Sequence, residues 1–387
     1  MAVTVSLNPV EEALAGTLPQ GEVTDAFRAQ GLPTRRDEAW KWSDLRLAAK
    51  AIRTPSLEYQ GDLAPLSALA ALEAERVVIA NGRLVEPGRA IVCDRSPDVW
   101  PVTPLASLAT VVPTVGLTLD GDNDTPVLVD RLSDGDGYHA DRLKVTLARG
   151  ARATLVEVHW AVGASFSNCV TEIEMEEGAS LTRIVVQPAA IDALTVHTSL
   201  IRQAADSQLN QTSILGGAAF ARHETRTVFE GTASAQIDAL YRLSGDLMTD
   251  VTTHVDHQVP GCETSELIKG VIDERARGVF QGKFHVARPA QQTNATMAHH
   301  ALLLSDDASV NAKPELEIYA DDVECAHGNT AGALDDDTLF YLRQRGLSAD
   351  QARRLLIDAF GAEVLERVED ESLREALTEL YGGLNDQ

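Results

Sequence analysis

The amino-acid sequence predicts a mainly β protein whose core is a parallel β-helix with helical segments at both ends. From about residue 76 to residue 330, short runs of Val, Ile, Leu and Thr are separated by Gly, Asp, Asn and Ser, without long helical patterns. Equivalent turns recur at positions 150, 178, 205 and 231, at intervals of 28, 27 and 26 residues. Strand-only repeats of this length are typical of solenoids, whose coils bury their apolar faces by stacking. An antiparallel sandwich is the alternative, because strand patterns do not reveal pairing direction.

Size and charge restrict the domain organisation and the classes of function. The 387 residues are 44% hydrophobic, which is enough to form a buried core. Changes between helical and strand-like sequence patterns predict an N-terminal helical domain at 1–75, the β-helix at 76–330 and a C-terminal helical domain at 331–387. The formal charge of -25 would repel phosphate backbones, so nucleic-acid binding is not expected. Neither a signal-peptide pattern nor a membrane-spanning apolar run is present in the sequence, so we expect a cytoplasmic protein without membrane partners.

The cysteines lie far apart in the sequence and form no C-x-x-C pair. They are Cys93, Cys169, Cys262 and Cys325. This spacing predicts reduced thiols rather than a disulfide framework or a closed zinc site.

The N-terminal segment contains a helical pattern followed by a basic and aromatic stretch. Apolar residues at helical spacing occupy residues 8 to about 30, and Gly31 begins the sequence that ends the pattern. Residues 34–46 are rich in Arg, Lys and Trp in an otherwise acidic chain. We interpret them as an amphipathic helix and turn that pack Trp40 and Trp42 onto the main body, with a docking surface as the alternative.

The last 50 or so residues predict three helices. The first spans residues 335–344, with acids in its first turn and arginines at its end, which matches the helix dipole. Residues 348–351 form a capping box that opens a second helix, from 352 to about 368, and a third runs from about 372 to 381. The apolar stripe predicted for the second helix suits either packing or a partner, and consists of Leu355, Leu356, Ala359 and Val364.

Residues 313–328 bring a Cys, a His and several carboxylates together, so any functional interpretation depends on this stretch. Its apolar residues alternate with polar ones, as in a half-buried strand, and the alternation changes phase after Asp321 and Asp322. Cys325 and His327 lie two residues apart on a strand, so they project from one face and could act on one atom. Two ligands cannot complete a structural zinc site, so a metal site here must be open or shared, and thiolate with imidazole suits iron, copper or zinc. The simpler interpretation is a buried cysteine beside a hydrogen-bonded histidine.

The carboxylates and the other histidines of this region allow further interpretations. Asp321 and Asp322 could form an acid/base pair in a β-helical carbohydrate-active enzyme if the backbone bends between them. Residues 314–342 contain eight acids and no Lys or Arg, which is more typical of a solvated or partner-facing edge. The histidines at 254, 257, 299 and 300 are interpreted as structural or surface residues. A stand-alone metalloprotein that uses Cys325, His327 and one of these histidines is a third hypothesis.

An ordered series of motifs resembles the SufB/SufD family of iron–sulfur cluster assembly proteins, and its SufD branch in particular. The resemblance spans roughly residues 270–366, with an N-terminal match in residues 31–41, and Asn329 is one departure, since Ala is common there. The matching residues are 278–283, 290–293, 302–305, 313–323, Cys325, His327, Gly328 and 339–346.

This resemblance implies a right-handed parallel β-helix between helical domains and a non-enzymatic scaffold role in iron–sulfur cluster assembly. It implies SufB and SufC, an ABC-type ATPase, as partners in a SufBCD complex, with a possible homodimer of the isolated chain. The nascent cluster would be held transiently at the interface with SufB, and no cofactor would be bound stably by the isolated chain. His327 is implied as a candidate metal ligand and Cys325 as a second one, without catalytic residues, and the C-terminal helices are implied as the region that docks the ATPase.

Overall fold

The strand repeats form a parallel β-solenoid of about eight turns, built from two sheets that face each other. The computed structural model describes residues 6–49, 59–61, 63, 67–70, 72–93 and 104–384. Parts of the predicted N-terminal domain lie outside the described residues, so the boundaries at 75 and 330 stay predictions.

The strands follow one another along the chain with short turns between them. They are β1 (Glu75–Ala80), β2 (Arg83–Glu86), β3 (Ile91–Cys93), β4 (Thr114–Leu119), β5 (Val127–Ser133), β6 (Tyr138–Leu147), β7 (Arg152–Ala161), β8 (Phe166–Met175), β9 (Ser180–Gln187), β10 (Ala190–Gln203), β11 (Gln208–Leu215), β12 (Ala218–Phe229), β13 (Ser234–Leu243), β14 (Met248–His257), β15 (Glu263–Ile272), β16 (Arg277–Val286), β17 (Asn294–Leu303), β18 (Ser309–Ile318) and β19 (Glu324–Gly332).

Successive strands alternate between the two sheets, so each coil contributes one strand to each. Sheet A has the order β19-β17-β15-β13-β11-β9-β7-β5-β1-β2, and sheet B has the order β18-β16-β14-β12-β10-β8-β6-β4-β3. From β5 onward every pairing is parallel and joins residues one coil apart, as in Gln208 with Ser234. The antiparallel pairs in the described chain are β1 with β2 and β3 with β4. The predicted β-helix is therefore confirmed over the antiparallel sandwich.

In-register stacking places equivalent residues of successive coils in columns that point to the same side of a sheet. The inward-facing columns form the main apolar core, which includes Leu155, Leu181 and Ile237. One inward column of sheet A runs the length of the solenoid and ends at His327. Its members are Val127, Leu155, Arg183, Gln211, Ile237, Glu266, Met297 and His327.

The N-terminal segment packs against the outside of sheet B. Its helices are α1 (Pro9–Thr17) and α2 (Glu22–Gln30), and Gly31 ends α2 with a φ of 68°. Residues 34–46 do not form a long helix, because only the 3-10 turn Glu38–Trp40 and α3 (Leu45–Ala48) are helical around them. The predicted packing of Trp40 is confirmed, since its ring stacks on Phe220 at a centroid distance of 6.5 Å.

Three further helices complete the C-terminal part; the second and third pack on sheet A, and the first contacts the second. They are α5 (Asp336–Gln344), α6 (Ala349–Leu365) and α7 (Glu371–Gly383), and the predicted capping box of Ser348 and Gln351 opens α6. A short helix α4 (Pro104–Leu108) and the 3-10 turns Ser67–Leu69 and Ala109–Val111 lie earlier in the chain. Among the described residues, no helix combines the length and the apolar character needed to cross a membrane.

The apolar stripe predicted for α6, which suits either packing or a partner, is mostly not used for packing. Leu355 and Ala359 are exposed, and of the predicted set only Val364 is buried. The helix packs instead through a neighbouring face that contains Ile357 and Gly361, because a Cβ at Gly361 would clash with the ring of Tyr381. The Leu355 face is therefore left open to solvent.

Candidate functional site at the open end of the solenoid

The stretch singled out in the sequence forms the last coil of the solenoid. Strand β18 pairs with β16 and β19 pairs with β17, and on the other side no described strand follows. Most residues of β19 are exposed. The end of the solenoid therefore presents two strand edges whose outward backbone groups are available to another chain.

Cys325 and His327 lie on the same face of β19, as their spacing predicts. Cys325 is in register with Ala295 and His327 with Met297, and both of these partners belong to the interior core. Cys325 is half-buried against that core, whereas His327 is exposed. Burial raises the pKa of the Cys325 thiol, against a backbone hydrogen bond at Ala295 that lowers it.

The two residues do not form a complete metal site within the described part of the chain. Among the described residues, the groups of three or more His, Cys, Asp or Glu side chains close enough to share an ion do not include either Cys325 or His327. One thiol and one imidazole leave at least one or two coordination positions open for any first-row metal. The chemistry that this end of the solenoid can perform alone is thus the presentation of two ligands.

Asp321 and Asp322 lie in the turn that carries the chain from sheet B to sheet A. Strand β18 ends at Ile318 rather than at Ala320, and the Asp322 amide N–H donates to the side-chain oxygen of Gln291 at 2.9 Å. Both Asp residues are exposed. The bend predicted at the paired Asp residues is confirmed. After this bend, β19 begins with the alternation of side chains that places Cys325 on the inward face.

A hydrogen-bonded chain of side chains lies behind the site. Tyr241 Oη lies 2.9 Å from Nε2 of His299, and Nδ1 of His299 lies 2.8 Å from the side-chain oxygen of Asn329 on β19. The imidazole also stacks on Phe280 at 4.8 Å between ring centroids. Burial lowers the pKa of His299 to about 4, so the ring is neutral near pH 7. Asn329 is thus held from inside the solenoid.

Gly282 explains part of the motif at residues 278–283. A Cβ at this position would clash with the sulfur of Met297 and the ring of Phe280. Met297 lies in register directly below His327. Because Gly282 has no side chain, these two large groups can fill the core beneath the candidate ligand.

Charged side chains along β18 connect the last coil to the N-terminal segment. Lys313 Nζ lies 2.9 Å from a carboxylate oxygen of Glu38 and 2.9 Å from one of Glu315. Lys283 pairs with Glu317 at 2.7 Å. These pairs are exposed and contribute little to stability, so their main effect is to fix the position of the segment beside the edge.

A second exposed surface lies on the C-terminal helices. Phe340 and Tyr341 on α5 are 63% and 55% exposed, and Leu355 on α6 is 48% exposed. Helix α5 has no buried residue. Aromatic and aliphatic groups exposed together on adjacent helices are typical of a surface that a partner covers.

A cluster of ligating side chains in the solenoid interior was missed by the sequence reasoning. His159, Cys169 and His197 are buried, and one ligand atom of each lies within 4.8 Å of the others. Cys169 and His197 belong to a column that begins at Asp141 and continues to His223, with spacings of 28, 28 and 26 residues. These spacings repeat the turn intervals, so a search for His and Cys residues one coil apart could have found the column. All four cysteines are free, as predicted.

Residues 131–360 match the family described as the SUF system FeS cluster assembly, SufBD core domain. The matched segment begins in β5 and ends in α6. It therefore contains both the open-end site and the interior cluster.

Full-length similarity extends to curated iron–sulfur cluster assembly proteins. The assembly protein SufD of Escherichia coli is 30% identical over 381 residues, which cover 91% of this chain and 89% of that protein. A SufBD-family protein of Mycobacterium tuberculosis H37Rv is 26% identical over 371 residues, which cover 92% of this chain and 89% of that protein. A SufBD-family protein of Synechocystis is 36% identical over 244 residues, 60% of this chain, and the match spans only 54% of that relative's length.

Proposed function

Because the chain belongs to the SufBD family of iron–sulfur cluster assembly proteins, we propose that it is a non-enzymatic scaffold subunit that pairs with SufB and docks the ATPase SufC. The nascent iron–sulfur cluster is the cargo of this scaffold, held between His327, Cys325 and groups supplied by SufB. The single observation that carries the proposal is the inward, same-face placement of Cys325 and His327 on the last, unpaired coil. The protein would act in the cytoplasm.

The open end supports pairing with a second solenoid. Strands β18 and β19 offer backbone donors and acceptors from both sheets at one end, and strand addition across such edges forms many hydrogen bonds at once. The incomplete ligand pair lies on this surface, so a partner that adds strands can also add the remaining ligands. The same edges explain why the isolated chain could form a homodimer.

The C-terminal helices support docking of the ATPase. The exposed apolar groups of α5 and α6 lie on the helices that follow β19 rather than on the edges of β18 and β19. Helix α6 is fixed to sheet A by Lys269, whose Nζ lies 3.1 Å from the carbonyl oxygen of Phe360 and which also pairs with Glu363. Movement of a bound ATPase would therefore be transmitted to the solenoid.

Substitution of His327 tests the ligand role. We expect His327→Ala to abolish or strongly reduce cluster formation when the chain, SufB and SufC are reconstituted anaerobically with iron and sulfide, measured by visible absorption and circular dichroism. Cys325→Ser should give a smaller loss. His300→Ala is the matched control, because His300 lies on the neighbouring strand β17 but on the opposite face, 2.7 Å from the hydroxyl of Thr330.

Complex assembly has to be measured on the same samples by size-exclusion chromatography. Loss of clusters in an intact complex supports the ligand role. Unchanged cluster formation in the His327→Ala complex would reject it, and loss of the complex itself would show that His327 contributes to pairing rather than to ligation.

A further inference from the structure

We propose that the solenoid interior contains a second, separate metal site, in which His159, Cys169 and His197 bind a soft monovalent cation of the copper(I) type. The three side chains come from β7, β8 and β10 and are all buried. This inference does not rest on the proposed function, because none of the three residues is near the open end.

Register brings the three ligands together. Cys169 is in register with His197 in sheet B, and His159 on sheet A faces them across the interior, with ring centroids of His159 and His197 3.5 Å apart. One ligand atom of each residue lies within 4.8 Å of the others. Ligands of one three-coordinate ion lie about 3.5–4.0 Å apart at bond lengths of about 2.0–2.3 Å, so the ligand atoms need to approach one another by about 1 Å. The two stacked rings must tilt apart, since each ring plane has to contain the ion.

The hydrogen-bond chain around His197 leaves a nitrogen lone pair free for an ion. The side-chain oxygen of Gln187 can only accept, so Nε2 of His223 donates to it. Nδ1 of the neutral His223 is then an acceptor, and Nδ1 of His197, 3.2 Å away, is the donor. In the neutral ring of His197 the lone pair then lies on Nε2, which is buried without a hydrogen-bond partner among the described residues. A ligating histidine whose other nitrogen donates to a fixed partner is the usual arrangement at metal sites.

His159 offers a second such nitrogen. Its Nδ1 is also buried without a hydrogen-bond partner in the described part of the chain. A neutral imidazole with a free ring nitrogen is the form that binds metal.

The surrounding charges favour a monovalent ion. Arg131 pairs with Asp141 at 2.9 Å and also with Glu157, and Arg183 pairs with Glu157 at 2.7 Å. These two cations and two anions cancel. Because a net charge in the interior is costly, a monovalent cation with one thiolate leaves the site neutral, whereas a divalent ion adds an uncompensated charge.

Binding requires the Cys169 proton to leave. Copper(I) binding replaces the S–H bond with a copper–sulfur bond and releases one proton to solvent, without a change of oxidation state. Thiolate and imidazole are both suitable ligands for copper(I), and three ligands complete a trigonal site.

The test uses a full-length chain in which Cys93, Cys262 and Cys325 are replaced by Ser, so that Cys169 is the only thiol. This protein is refolded anaerobically with copper(I) and a competing chelator, which removes the barrier to entry. We expect one copper per chain, one proton released, and an X-ray absorption spectrum with one sulfur and two nitrogen neighbours. Zinc(II) under the same conditions should bind more weakly.

Matched variants decide the ligand assignment. Loss of a residue that hydrogen-bonds a metal ligand typically weakens metal binding by roughly 10–100-fold, so Gln187→Ala should weaken copper binding within that range. Cys169→Ser and His197→Gln remove ligands themselves, so they should weaken copper binding by more than that. His257→Gln is the control, because His257 is another buried interior imidazole, hydrogen-bonded to Thr264 at 2.8 Å.

Three results would overturn the proposal: copper bound equally by Cys169→Ser, a refolded sole-thiol chain that retains no copper, or zinc preferred over copper. If the sole-thiol chain does not regain its circular dichroism, the comparison of His197→Gln with His257→Gln in the otherwise unchanged chain gives the same decision. Equal copper binding by those two variants would also reject the site.

Discussion

Glu266 shows how strongly a single side chain responds to the solenoid interior. It is buried one coil before Met297 in the column that ends at His327. One carboxyl oxygen accepts from the Thr253 hydroxyl at 2.9 Å, and the other has no hydrogen-bond partner among the described residues. Burial raises the pKa of Glu266 to about 8, so the group is protonated near pH 7.

We expect Glu266→Gln to become increasingly stabilising, relative to the unchanged chain, as the pH rises. Unfolded Glu266 ionises near its ordinary pKa of about 4.3, whereas the folded group keeps its proton up to about pH 8. The unchanged chain therefore loses up to about 1.4 kcal/mol of unfolding free energy per pH unit in that window, and Gln, which cannot ionise, removes this loss. Urea unfolding at pH 5, 6.5 and 8 measures the difference.

Glu263→Gln is the control for this substitution, because Glu263 is exposed on the same strand. It should leave the pH dependence unchanged. If the unfolding free energy of Glu266→Gln changes with pH as steeply as that of the unchanged chain, the burial of an unpaired carboxyl group is contradicted.

At the residue scale, the sequence predicted local relations and missed those that cross coils. The shared face of Cys325 and His327 follows from the two-residue period of one strand. The contact of His159 with Cys169 and His197 depends on sheet register and on the width of the interior, which no local pattern determines. Whether Leu355 serves packing or a partner could not be decided from the sequence, because α6 carries apolar residues on more than one face.

At the scale of elements, a pair of leucines distinguishes the packed and open faces of the C-terminal helices. Leu377 on α7 is fully buried in a cluster with Ile184, Ile214 and Leu240 of sheet A. We expect Leu377→Ala to cost about 2–5 kcal/mol of unfolding free energy, because it leaves a cavity. Leu355→Ala should cost less than about 0.5 kcal/mol. Chemical denaturation followed by circular dichroism checks both values.

The same pair tests the docking proposal when binding of SufC is measured by isothermal titration calorimetry. Leu355→Ala should weaken binding while its fold stays intact. If both Leu355→Ala and Phe340→Ala bind SufC as tightly as the unchanged chain, the ATPase binds another surface. If Leu377→Ala and Leu355→Ala cost the same unfolding free energy, the packing described for α7 is contradicted.

The helix ends were predictable because their signals are local. The capping box of Ser348 and Gln351 is read directly from the sequence, and both of its hydrogen bonds are present. The face that α6 buries was not predictable, because the choice depends on the shape of sheet A and on Tyr381 of α7, which packs at Gly361. Residues 34–46 formed short turns rather than a long helix because Trp40 and Arg222 fix them to sheet B, with the guanidinium 4.2 Å from the indole centroid.

For the whole molecule, the buried histidines predict a loss of stability in acid. Burial lowers the pKa of His257 and His299 to about 4 and that of His223 to about 3. Between about pH 6.5 and 4 the unfolded chain binds protons that the folded chain cannot, so the unfolding free energy falls as the pH falls. Each group contributes up to about 1.4 kcal/mol per pH unit, and together they outweigh the opposite slope of Glu266.

We therefore expect an unfolding free energy that is highest near pH 6.5–7 and falls steeply below pH 6. Urea titrations at half-unit steps from pH 4.5 to 8.5 measure this profile. His257→Gln should reduce the slope of the unfolding free energy against pH in this acid range by the contribution of about one proton, which is about 1.4 kcal/mol per pH unit. A flat profile between pH 4.5 and 6.5 would mean that the interior histidines are accessible to water.

The overall fold was predictable because a repeat of 26–28 residues reports on many coils at once, so errors in single strands matter little. The direction of strand pairing was not predictable from the sequence. It is given by the structure, in which the strands form in-register parallel ladders. The partners, the nascent cluster and the three-domain division remain predictions, since they concern surfaces and boundaries rather than repeats.

The open end also determines how the free chain moves. Every interior coil is held by two neighbours, but β18 and β19 are each held by one strand, so in a linear array the last coil has a smaller local opening free energy than the interior coils. Its amide protons should exchange with solvent faster than those of β11 or β13, without global unfolding. The strand that carries Cys325 and His327 is therefore the part of the solenoid whose order a second chain can most readily complete.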